Sequence, residues 1–215
     1  MKLIEIANSL VFVAEYSVVL PIVVAIYFRA YQQKELKILL IGLCATLLLD
    51  IVSVVFFYSS KNTTLYFFTA IDIFTATLMF SAALPQGRVS KVIGKLGFIL
   101  LPFIAFDAFY LSGIEVNGYS NTIGILLISC MAIYYLRHLF NDSIILKLTE
   151  EPMFWVSIGL LTNDVVGFFD VFNKPMLTYS QNLYLQFYMI WSIASIFMYS
   201  CFAYAFWLAK RQYQG

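Results

Sequence analysis

Residues Lys37–Phe80 read KILLIGLCATLLLDIVSVVFFYSSKNTTLYFFTAIDIFTATLMF. Two long apolar runs flank a short polar turn, Ser59-Ser60-Lys61-Asn62. A membrane-spanning helix needs roughly 20 predominantly apolar residues, and this stretch supplies two of them. Each run carries one aspartate, Asp50 and Asp72, at a depth where hydrocarbon is expected. The rest of the chain has to account for those two carboxylates.

The composition agrees with a membrane setting. Of 215 residues, 62% are hydrophobic and 12% are charged, against a usual charged share of about 25%. The mean hydropathy is +0.86. A membrane barrel would show short alternating strands, not long continuous apolar runs, so the expected fold class is all-α, a polytopic bundle in one domain over 1–215. A net charge of +1 gives no footprint for nucleic acid. Cys44, Cys130 and Cys201 stand apart in separate apolar runs, which supports neither a disulfide framework nor a metal-ligand pair. Lys2, Glu5 and Glu15 interrupt the N-terminal run and no small-residue cleavage site follows, so the first helix is expected to stay, with no soluble domain added at either end.

Seven apolar segments are expected to span: about 9–30, 36–58, 63–83, 92–111, 119–140, 152–172 and 182–209. The breaks between them carry turn chemistry, such as LPQGRVSK and NKPMLTYSQ. Pro152 opens the sixth segment, where its missing N–H costs nothing. Arg29, Lys34, Lys37, Arg88, Lys91, Lys95, Arg137, Lys147, Lys210 and Arg211 fall on one side, leaving Lys2, Lys61 and Lys174 on the other. The positive-inside rule then places the N-terminus outside and the C-terminus in the cytoplasm. Tyr31, Tyr58, Tyr110, Tyr119, Trp155 and Trp207 near segment ends suit the interfacial aromatic belt. Segments 1–3 and 5–7 would run in the same sense, as in a parallel 3+1+3 repeat, with Asp50-Ile51-Val52-Ser53 answering Asp164-Val165-Val166-Gly167.

At a rise of about 1.5 Å per residue, Glu15 lies roughly 9 Å from the outer end of its segment, Asp50 about 12 Å, Asp72 about 13 Å, Asp107 about 6 Å and Asp164 about 12 Å. These acids sit on five segments in the outer half of the membrane, with no lysine or arginine at that depth. On the insertion scale a mid-membrane aspartate costs about 2.5–3.5 kcal/mol, so the set must face the bundle interior. Helical spacing places Thr46, Asp50 and Ser53 on one face, Thr69 and Asp72 on another, and Ser157, Leu161 and Asp164 on a third. Tyr184, Tyr188, Ser192, Ser195 and Tyr199 line a face of the seventh segment, and Asn163 precedes Asp164. Close carboxylates in a low dielectric cannot all ionise, so protons or a bound cation must be shared among them. The plainer alternative is that each acid hydrogen-bonds across a helix interface and serves packing.

Other cofactor chemistries find no residues. His138 is the single histidine, so a zinc-ligand cluster is not available, and the last segment has no lysine before Lys210 to form a retinal Schiff base. A bound cation is compatible with the acids, and tyrosines beside carboxylates can cage an organic cation.

Two resemblances can be placed on these residues. Leu20-Pro21, Asp50, the run Leu65-Tyr66 to Ile71-Asp72, and Pro152-Met153-Phe154-Trp155 with Ile158-Gly159-Leu160 resemble, in order and spacing, a family of small seven-helix membrane proteins of Bacteroidetes-type bacteria. That resemblance implies a multi-pass protein of the bacterial inner membrane and no particular activity. Gly42-Leu43-Cys44-Ala45-Thr46-Leu47-Leu48-Leu49-Asp50 and Gly159-Leu160-Leu161-Thr162-Asn163-Asp164 are similar to two acidic helices of the lysoplasmalogenase family, with Leu49 for its glycine and Asn163 for its serine. It implies a lipid hydrolase with Asp50 and Asp164 as an acid and base pair.

Three functional expectations follow. The first is a receptor-like or carrier protein with an outward-facing acidic pocket, formed by Asp50, Asp72 and Asp164 with Glu15 and Asp107 at the rim and Thr46, Thr69, Asn163, Tyr184 and Tyr188 around them. Its ligand would be a cation, a proton, or a small amine or lipid. The second is the aspartate-dependent lipid hydrolase. The third is a membrane subunit that partners a sensor protein. The sequence fixes neither the ligand nor the oligomeric state.

Overall fold

The computed structural model describes residues 2–56, 61–113, 118–141, 148–177 and 180–214. Among them there are helices and turns and no strand. Seven helical stretches are long and apolar enough to cross a membrane: Ile4–Phe28, Lys34–Ser53, Thr64–Ala83, Arg88–Leu111, Tyr119–Asn141, Pro152–Phe169 and Asn182–Arg211. The chain is a multi-pass helical membrane protein.

The first crossing is two helices, α1 (Lys2–Tyr16) and α2 (Val19–Phe28). Pro21 explains the break: it has no N–H to give, and its ring excludes the carbonyl four residues back. That carbonyl, of Ser17, instead accepts from the Leu20 N–H at 3.1 Å. The Ser17 hydroxyl covers the neighbouring gap by donating to the Ala14 carbonyl at 2.5 Å. Glu15 lies in the last turn of α1, just before this break.

The remaining crossings are α3 (Lys34–Phe56), α4 (Lys61–Ala83), α5 (Arg88–Phe106), α6 (Tyr119–Asn141), α7 (Pro152–Leu177) and α8 (Gln181–Gln214). The first segment therefore begins seven residues before its expected start at 9, because Lys2 and Glu5 sit on helix, and the last runs on to Gln214. Charged residues at the helix ends mislead a hydropathy reading there, since the backbone satisfies itself past the apolar run. Phe57 and Tyr58, expected to end the second crossing, and Lys147 lie outside the described residues.

Six crossings form a ring: α1–α2 packs on α8, α8 on α7, α7 on α6, α6 on α4, α4 on α3, and α3 closes toward α2. The fifth helix, α5, packs outside the ring on α4. Close approach to α4 depends on small residues, as lipid supplies no hydrophobic drive between helices. Any Cβ at Gly42 of α3 would collide with the Thr75 side chain, and one at Gly97 of α5 would lie 2.5 Å from Thr77 Oγ1. One end of the ring is a dry plug built on Leu36, Met79, Phe80, Tyr135, Met153, Val156 and Phe206. Toward the other end the ring is hollow.

Candidate functional site

The hollow consists of two adjoining cavities, of about 340 Å³ between α4, α6, α7 and α8 and about 410 Å³ between α1, α3, α4, α7 and α8. They share Leu65, Asp72, Ile128, Asn163, Asp164 and Trp191 in their walls. The smaller adds Thr69, Asn121, Phe187 and Tyr188. The larger adds Glu15, Thr46, Asp50, Thr75, Ser195 and Tyr199 among otherwise apolar side chains. Four carboxylates from four crossings thus line the larger cavity, two of them the smaller as well, and the described lining of both has no lysine, arginine or histidine.

Helical spacing explains each placement. On α4, Leu65, Thr69, Asp72, Ala76 and Met79 follow one face at intervals of three and four residues. Asp72 stands on the helix that α3, α5 and α6 surround, yet keeps accessible surface because its side chain enters the void. Among the described residues nothing donates a hydrogen bond to the carboxylate of Asp72 or of Asp50; the Ser53 hydroxyl donates to the Asp50 carbonyl at 2.8 Å.

Asp164 is different, being 6% exposed and bonded once, by Ser129 Oγ to Oδ2 at 3.0 Å. Its other oxygen accepts nothing from the described residues. The neighbouring Asn163 carbonyl oxygen is held by Ser195 Oγ at 3.0 Å, which leaves its amide N–H groups for the cavity. Glu15, Asp50, Asp72 and Asp164 share the wall of the larger cavity, and Asp72 and Asp164 also that of the smaller. Tyr199 lies within electrostatic reach of both Asp50 and Asp72.

An aromatic ladder on α8 leads into the smaller cavity. Tyr184 and Tyr188 have ring centroids 4.7 Å apart, and Tyr188 and Trp191 6.2 Å. Tyr184 itself lines neither cavity; it reaches the site through Tyr188. Buried or cavity-facing aromatic faces attract cations, most strongly at tryptophan.

Asp107 stands apart from the other expected residues. It is fully buried and lines neither cavity. Pro102 removes a bond near the end of α5, and the chain then widens into a π-turn over Asp107–Leu111 that aims the carboxylate at the start of α6. There Asp107 accepts from Ser112 Oγ at 2.6 Å, from Ser120 N–H at 2.7 Å and from Ser120 Oγ at 2.6 Å. It satisfies an orphan donor of the first turn of α6, as an N-cap does.

Of the ten residues expected from sequence, the structure gathers eight around the cavities: Glu15, Thr46, Asp50, Thr69, Asp72, Asn163, Asp164 and Tyr188. Sequence reading passes over Ser129, Asn121, Thr75, Phe187 and Trp191. Trp191 had a signal, since it lies three residues after Tyr188 and four before Ser195 on the same helical face. Among the described residues no three His, Cys, Asp or Glu side chains stand close enough to chelate a metal ion. No known family, curated protein or solved structure matches the chain.

Proposed function

We propose that this is a receptor-like or carrier protein of a bacterial inner membrane whose acidic intramembrane cavity binds a small amine as its ammonium ion, with protons competing for the same carboxylates. One observation carries this reading: Asp72 projects into a cavity that three further carboxylates and Trp191 line, and among the described residues nothing donates a hydrogen bond to it and no basic side chain lines that cavity. A carboxylate at membrane depth without a partner is costly, and a ligand cation removes that cost. An ammonium needs one or two carboxylates and an aromatic face, whereas a chelated metal needs three or more converging ligands. The bias of basic residues supports an extracytoplasmic opening, with the dry plug toward the cytoplasm. It also supports the parallel 3+1+3 arrangement, in which Asp50 and Asp164 are counterparts on one cavity.

The hydrolase alternative needs Asp50 and Asp164 to share one water. Asp72 and Glu15 stand on the same cavity wall as Asp50 and Asp164, which favours a group of acids over an isolated dyad.

The test is thermal stability in lipid nanodiscs with n-butylamine. A ligand at 100 times its Kd stabilises the folded state by about 2.7 kcal/mol. The wild type should gain stability with amine concentration, and the double variant Asp50→Asn, Asp72→Asn should not. Equal responses of the two proteins, or no response of the wild type, would sink the proposal.

A further inference from the structure

The larger cavity has more wall than an ammonium ion needs. From the level of Asp72 it continues along α4 to Met79, seven residues or about 10 Å at a rise of about 1.5 Å per residue. Over that length its wall is mostly apolar, with Leu39, Leu43, Ala76, Leu160, Met198 and Phe202 outnumbering the threonines Thr46 and Thr75. Helices α3 and α4 run in opposite senses, so Leu39 and Met79 mark the same closed end. Beyond it stand the fully buried Leu36, Phe80 and Phe206. The space is therefore an apolar blind slot with an acidic head.

At the head, Asp164 is nine-tenths buried with one oxygen unbonded and facing the space, and the Trp191 N–H and Tyr199 hydroxyl have no protein acceptor among the described residues. Convergent unsatisfied polar groups at one end and an apolar dead end at the other describe an amphiphile. We propose that the ligand is a primary alkylamine with a medium-length chain, its ammonium held between Asp72 and Asp164 and its chain lying in the slot toward Met79. The inference rests on the amine-binding reading and adds the tail.

Each methylene moved from water into the slot should tighten binding about fourfold. Between n-butylamine and n-octylamine the gain should then be of order 100-fold, when affinity is expressed against free aqueous amine and binding to empty nanodiscs is subtracted. 1-Octanol, with the chain and no charge, should bind at least tenfold more weakly than n-octylamine. Leu160→Phe, which places a ring in the slot, should remove most of the chain-length gain, so that n-octylamine binds that variant no more than about fivefold more tightly than n-butylamine does. Ala76→Met is a second filling if the first variant fails to fold, and the chain series on the native protein decides the matter if both do. If the two amines bind within fivefold of each other, the tail assignment is overturned and amine binding stands. If neither binds the folded protein, both fall together.

Discussion

Replacing Asp107 separates the acid that builds the protein from the acids that face its cavity. Its carboxylate takes three hydrogen bonds in a fully buried site. In Asp107→Ala the two serine hydroxyls can turn toward other acceptors, but the Ser120 N–H, in the first turn of α6, cannot. An orphaned buried donor costs about 1–3 kcal/mol and a lost cap about 0.5–2 kcal/mol; these overlap, and the combined loss is about 2–4 kcal/mol. Asp107→Asn keeps one acceptor oxygen for that N–H and should cost about 1 kcal/mol. Loosening should spread through the α4–α6 corner, because the Tyr66 hydroxyl donates to the Gly113 carbonyl at 3.0 Å just beyond Ser112. The assay is reversible unfolding in mixed micelles, with n-butylamine affinity measured in parallel. Stability should fall in the order wild type, Asn, Ala, with affinity unchanged within threefold. An Ala variant within about 0.5 kcal/mol of wild type would refute the cap, as that is the range of an inconsequential surface change. A tenfold loss of affinity at full stability would return Asp107 to the site.

Other perturbations test the architecture and the site. Gly42→Leu should destabilise the bundle by about 1–3 kcal/mol through overpacking against Thr75, and Gly42→Leu with Thr75→Ala should recover part of it in the same unfolding assay. Pro21→Ala should let α1 and α2 run on as one helix and draw Glu15 away from the cavity, weakening amine binding severalfold; spin labels on the two helices should report a straighter crossing, and an unchanged distance would contradict the proline's role. Lowering the pH should weaken n-butylamine binding while the amine stays charged, since protons and ammonium compete for the same oxygens. A flat profile between neutral and mildly acidic pH in direct binding measurements would contradict that competition. Asp164→Asn should lower n-butylamine affinity at least tenfold while unfolding stability changes little, because Ser129 can still donate to the amide oxygen.

Much of the fold is legible in the sequence because lipid demands that each crossing satisfy its own backbone, so the apolar runs map directly onto helices. The break at Ser17-Val18 was signalled by Pro21, though a hydropathy reading treats that crossing as one piece. Which crossings touch is not legible: α5 outside the ring and α4 between α3 and α6 depend on packing at Gly42, Gly94, Gly97 and Gly124, whose partners lie on other helices. For the site, depth and helical face group Asp50, Asp72 and Asp164, and all three stand on the wall of the larger cavity. The same criteria group Asp107 with them, because depth says nothing about donors. Ser112 and Ser120 sit five and thirteen residues away, and only the π-turn after α5 brings both to one carboxylate.

That contrast explains why the cavity acids call for a ligand. Asp107 and Asp164 are both buried and both accept from serine, so burial alone does not distinguish a structural acid from a site acid. The count of donors against exposed oxygens does. Asp107 has its cost met by three donors and fills its space; Asp164 has one donor and an open wall, and Asp72 and Asp50 have none among the described residues. At about 2.5–3.5 kcal/mol each, four cavity carboxylates burden the fold by about 10–14 kcal/mol on the insertion scale. Water entering the hollow offsets part of that, but packing gains nothing, since apolar side chains at those positions would close the ring. A bundle that keeps the hollow and lines it with one sign of charge is therefore stabilised most by a cation that enters it, and the apolar slot beneath Asp72 gives that cation a reason to carry a chain.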